Sequence, residues 1–99
     1  MLTVATMVER LLEQHAGRKI APIAIEHGID PALLRLWAKE KVLPNDENCV
    51  KLADAIGIDR KYALLSLCVQ RTMNMSEDVN LAWRELELLF RSNKKALTG

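Results

Sequence analysis

The sequence predicts an all-α fold: five short helices around one core, with an extra helix appended at the C-terminal end. Apolar residues recur at spacings of three and four along most of the chain, the period of helices with one buried face. No apolar/polar alternation is sustained, and no Asn-Gly or Asp-Gly hairpin turn interrupts the pattern. Two corners share one chemistry, Gly28-Ile29-Asp30 and Gly57-Ile58-Asp59: a left-handed stop, an apolar plug and a helix cap. Ninety-nine residues make one core and are too few for two. The expected division is a helical core over residues 1–75, then a C-terminal helix and a frayed tail over 76–99.

From Thr3 to His15, Val4, Met7, Val8, Leu11 and Leu12 mark an amphipathic first helix that stops near Gly17. Residues 20–27 read as a short second helix, with Pro22 tolerated in its first turn. Residues 31–39 form a third, opened by Asp30 as cap and Pro31 at the first helical position. Lys41 to Asn45 reads as a loop. Asp46 is expected to cap a fourth helix that turns Val50, Leu52, Ala53 and Ile56 inward and closes at Gly57. Arg60 to Thr72 reads as a fifth, with Ala63, Leu64, Leu67, Cys68 and Arg71 on successive turns. Met73-Asn74-Met75 breaks the pattern, and Ser76 with Glu77-Asp78 starts a sixth over 77–91. There Val79, Ala82, Trp83, Leu86, Leu89 and Phe90 form a broad apolar stripe, and residues 92–99 are polar enough to fray.

Composition narrows the function classes. Apolar residues make up 49% of the chain, with four aromatics among them, so aliphatic side chains must fill the interior. No run of 18 apolar residues and no signal-peptide pattern occurs, so a cytoplasmic protein without a membrane partner is expected. Cys49 and Cys68 form no CxxC and read as small hydrophobes. His15 and His27 read as surface or capping residues at helix ends, not as ligands or bases. No catalytic cluster, Gly-rich phosphate loop or metal-ligand spacing is present, so neither an enzyme nor a bound metal or cofactor is expected.

Net charge is +1, from 14 Lys/Arg against 13 Asp/Glu, a weak electrostatic bias for a nucleic-acid binder. Placement matters more than the sum. Basic residues gather at Arg18-Lys19, at Arg35, Lys39 and Lys41, and at Arg60-Lys61. Acidic ones gather at Glu9 and Glu13, Asp46-Glu47, Glu77-Asp78, and Glu85 and Glu87, mostly at helix starts or outer faces.

The stretch from Ala24 to Trp37, AIEHGIDPALLRLW, is the most informative. Ala24 lets two helices approach closely, Gly28 ends the first, Ile29 plugs the corner, and Leu33, Leu34 and Trp37 share one face of the second. A Pro-bearing loop at Pro44 and the apolar run Leu52-Ala53-Asp54-Ala55-Ile56-Gly57-Ile58-Asp59 follow in order. Residues 20–57 thereby resemble the helix-turn-helix core of the Cro/C1-type phage repressor family, the lambda-repressor-like fold, and the helix order over residues 3–72 fits as well.

That resemblance implies a transcriptional regulator that binds an inverted-repeat operator in double-stranded DNA as a dimer. By position, Asp30, Pro31, Ala32, Arg35 and Leu36 would line the DNA-facing side of the recognition helix. Arg35 would contact a base, since a guanidinium pairs bidentately with guanine. Lys39, Lys41, Arg18 and Lys19 would hold phosphates. The chain departs from the family pattern at two places. Pro31 and Ala32 stand where hydrogen-bonding side chains are usual, and Ala38-Lys39-Glu40 lacks the usual glycine after the tryptophan. The alternative is a helix-turn-helix module that has lost base readout and docks a protein partner. The stripe Val79, Trp83, Leu86, Leu89 and Phe90 would bury either on the chain's own first and fifth helices or, as the family analogy favours, against a second copy.

Overall fold

A computed structural model describes residues 2–93. Its elements are α1 (Val4–Gln14), α2 (Ile20–Glu26), α3 (Pro31–Ala38), α4 (Asp46–Ile56), α5 (Arg60–Thr72) and α6 (Glu77–Ser92), and no strand occurs among the described residues. The all-α expectation holds. No helix is long and apolar enough to cross a membrane.

Local chemistry sets each boundary. Thr3 caps α1, its Oγ1 accepting from the Thr6 backbone N–H at 3.2 Å. Asp30 caps α3 by accepting from Ala32 N, and Asp59 caps α5 by accepting from the N–H groups of Lys61 and Tyr62. At α4 the cap is Asn45, which accepts from Asn48 N at 2.8 Å. Asp46, expected as the cap, is instead the first helical residue, where its charge with that of Glu47 suits the helix dipole. The first three helices are shorter than expected because His15, His27 and Lys39 are C-caps.

The two glycine corners close alike. Gly28 sits at φ +70° and Gly57 at φ +75°, and the next residue's N–H returns to the helix: Ile29 to Ala24 O at 2.8 Å, Ile58 to Ala53 O at 3.1 Å. The α3 terminus makes the same turn without glycine. Glu40 takes φ +55°, while Lys41 N donates to Leu36 O at 2.9 Å. The turn requires this left-handed residue, and glutamate adopts it under strain. Glu40→Gly is therefore expected to raise the unfolding free energy by about 0.5–1 kcal/mol, read from the urea midpoint. A lower midpoint would show that glutamate is unstrained there.

Leu2, Val4, Met7, Val8, Leu11, Ile23, Ala24, Ile29, Leu34, Trp37, Cys49, Leu52, Ala53, Ile56, Ala63 and Leu67 form one buried cluster. All five of the first helices contribute to it and α6 does not. Side chains from other helices also reach two helix ends: Gln70 accepts from Val4 N, and Gln14 donates to Ile56 O. Arg71 is not core. Its guanidinium donates to Pro44 O and pairs with Asp46 at 2.8 Å, pinning α5 to the α3–α4 loop.

The sixth helix packs antiparallel to α5, as an α-hairpin through the turn at residues 73–76. Its inward face is not the apolar stripe. The residues it buries are Asn80 and Glu87. Asn80 Nδ2 donates to Val69 O and Thr72 Oγ1, and Phe90 stacks on Tyr62 with ring centroids 6.2 Å apart. The Glu87 side chain, expected on an outer face, is only 4% exposed, with the Arg91 guanidinium 3.6 Å away. Of the stripe, Trp83 and Phe90 are half-buried, while Val79 (45% exposed), Leu86 (49%) and Leu89 (69%) stay open. Ser92, expected to fray, is still helical. The expectation for residues 94–99 lies outside the described residues.

Candidate nucleic-acid interface

The α2–α3 pair is positioned by what α3 buries. Leu34 and Trp37 are almost fully enclosed, and Leu33 is half-buried. One helix period away, Ala32, Arg35, Leu36 and Lys39 are exposed, which is the i, i+3, i+4, i+7 spacing of a single face. Trp37 thus anchors the helix while Arg35 is presented outward. Lys41 follows on the exposed turn, and Pro31 is half-buried. Arg35, Lys39 and Lys41 make no ion pair or side-chain hydrogen bond among the described residues. A guanidinium so placed keeps all its donors for a ligand.

Other expected site residues are already engaged. The Asp30 carboxylate holds the Ala32 N–H at 2.8 Å, which makes it a cap first. Arg18 pairs with Glu26 at 2.8 Å and also reaches His15 Nδ1 at 3.3 Å. The hydrogen bond from Arg18 holds the Glu26 carboxyl below its ordinary range. Both partners are about half exposed, so the pair is weak enough to yield to a phosphate. Lys19 is exposed at the N-cap of α2. In the third basic group Arg60 is bidentate on Asp54, both bonds at 2.8 Å, and that pairing draws the Asp54 carboxyl down. Arg60 therefore serves the α4–α5 corner.

The interface also carries apolar side chains. Leu36 is 38% exposed, Ile25 on α2 is 68% exposed, and Val42 after α3 is 44% exposed. Two connections carry no signal in the sequence spacing. Lys51 on α4 donates to Gly28 O at 3.2 Å and braces the α2–α3 turn from the next helix but one. His15 and His27 lie 12 residues apart, yet their Nε2 atoms stand 3.3 Å from each other. No helical spacing links them, and they meet only because the fold brings the C-caps of α1 and α2 together. Both cysteines are free thiols. Burial pushes the Cys49 thiol up to about 11, so it stays protonated near neutral pH and is a poor nucleophile or metal ligand.

No protein-family model, curated protein or solved structure matches this chain.

Proposed function

We propose that this protein is a sequence-specific DNA-binding transcriptional regulator with a lambda-repressor-like core, of the Cro/C1 phage-repressor kind. One observation carries the reading. The short helix after the Gly28 turn is anchored by Leu34 and Trp37 and presents Arg35, Leu36, Ala32 and Lys39 together to solvent. Such a helix fits a major groove, where Arg35 would read a base edge, Ala32 and Leu36 would meet thymine methyls, and Lys39 and Lys41 would hold phosphates. Arg18 and Lys19 would add phosphate contacts at the start of α2.

Two such helices, one DNA turn of about 34 Å apart, would read an inverted repeat, which requires a two-fold dimer. The open stripe of α6 is the surface proposed for that dimer. Val79, Ala82, Leu86 and Leu89 follow the 3–4 spacing of a helix seam, edged by half-buried Trp83 and Phe90. Leu86→Asp combined with Leu89→Asp is expected to leave helix content unchanged and to convert the protein to a monomer by sedimentation at about 10 µM, a concentration that populates a standard-sized interface. A wild-type monomer under the same conditions would exclude this surface.

Selection of bound duplexes from a random pool tests the main reading. A two-fold symmetric consensus is expected, and no enrichment at low salt would oppose it. The exposure of Ile25, Leu36 and Val42 favours a second reading, docking of a protein partner on the same helices. In that case DNA selection would fail while substitution of Ile25 or Leu36 weakened the protein complex.

A further inference from the structure

The cluster of His15, His27, Arg18 and Glu26 has no part in the proposed DNA contacts beyond Arg18 itself. His15 is the C-cap of α1 and His27 the C-cap of α2, so both imidazoles sit at the negative ends of helices, which favour cations. The rings are half-buried, tilted by 58°, with centroids 5.5 Å apart, and their Nε2 atoms face each other at 3.3 Å.

Hydrogen-bond chemistry fixes the protons. Arg18 has donors only, so the His15 Nδ1 that it touches must accept. Neutral His15 then carries its proton on Nε2 and donates to His27 Nε2, leaving the His27 proton on Nδ1. The nearly end-to-end rings are the geometry of such an N–H···N bond. The separation also matches another occupant. Two imidazole nitrogens on a tetrahedral zinc, at about 2.0–2.1 Å each, stand about 3.3 Å apart.

We propose that His15 and His27 form a two-histidine site for a borderline divalent transition metal such as Zn²⁺ or Co²⁺. A modest turn of each ring points both Nε2 lone pairs at one ion, and solvent fills the remaining positions. Imidazole suits these metals. Each histidine binds neutral. The proton leaves His15 Nε2 and one is taken up at Nδ1, so no net proton is released. The new Nδ1–H faces an arginine that can only donate, and the guanidinium gives up His15 while keeping Glu26. No third His, Cys, Asp or Glu converges on the pair among the described residues, so binding is expected to be weaker than at a three- or four-ligand site.

Titration of the whole chain with zinc chloride, followed by calorimetry, tests this directly. One ion per chain is expected, with affinity falling at least about 10-fold in both His15→Ala and His27→Ala, the size of effect that loss of a ligand or its support brings. Nitrogen NMR of the unsubstituted protein gives a readout that no folding defect can mimic: Zn²⁺ should shift Nε2 of both rings. Co²⁺ should add the visible absorption of a tetrahedral site. Unchanged Nε2 resonances at saturating zinc, wild-type affinity in either variant, or one ion per two chains would overturn the site.

Discussion

Trp37→Ala is expected to destabilise the protein by about 3–5 kcal/mol, the largest effect of any single truncation considered. Trp37 is 1% exposed and sits in one cluster with residues of α1, α2, α4 and α5. Truncation leaves a void between helices whose positions are fixed from several sides, so the site cannot collapse to fill it. A domain of this size has a total stability of about 5–15 kcal/mol, so the variant should unfold at much lower urea, and DNA binding would be lost with the fold. Arg35, two residues earlier, is exposed, and Arg35→Ala should leave the urea midpoint within about 0.5 kcal/mol of wild type. An equal loss of stability in both variants would mean that α3 does not have one buried and one open face.

Arg35, nearly neutral for stability, is expected to act on DNA directly. Against a selected operator, Arg35→Ala is expected to lose about 1–3 kcal/mol, roughly 5–150-fold, the worth of one bidentate arginine–guanine pair. Against random duplex the loss should stay near the worth of one phosphate contact. Lys39→Ala should behave differently, weakening both DNAs together and lowering the salt slope by about 1. These comparisons use one assay at several salt concentrations. If Arg35→Ala weakened operator and random DNA alike, Arg35 would be a backbone contact and specificity would lie elsewhere.

Most of the helical framework was legible because its signals are local. The period of Val4, Met7, Val8 and Leu11, the Asp30-Pro31 start and the Gly57-Ile58-Asp59 corner each act within a few residues, and each folds as expected. Asn45 was missed as a cap because Asp46 beside it is an equally good chemical match, and only backbone geometry chooses between them. Glu40 reads as a missing glycine, yet the chain makes the same left-handed turn with a glutamate, closed by Lys41 N on Leu36 O.

Longer-range features were not legible. An amphipathic stripe marks an apolar face without saying what covers it, and α6 turns Asn80 toward hydrogen-bonding groups of α5 and buries Glu87 beside its own Arg91. Of the candidate interface, the outward set on α3 was indicated by the family resemblance, with the spacing of Leu33, Leu34 and Trp37 marking the opposite face. The commitments of Arg18 to Glu26 and of Arg60 to Asp54 were not indicated, since those pairs depend on how separate segments meet. The meeting of His15 and His27 escaped notice for the same reason.

In the proposed mode of binding, the outer face of α3 meets the duplex. Backbone amide shifts on titrating a short random duplex at low salt test it most directly, since non-specific affinities of about 10⁻⁴–10⁻⁶ M suffice to move them. Shifts concentrated between Asp30 and Lys41, fading as salt is raised, are the expected result. A flat spectrum, or shifts confined to the α6 stripe around Leu86 and Leu89, would contradict it.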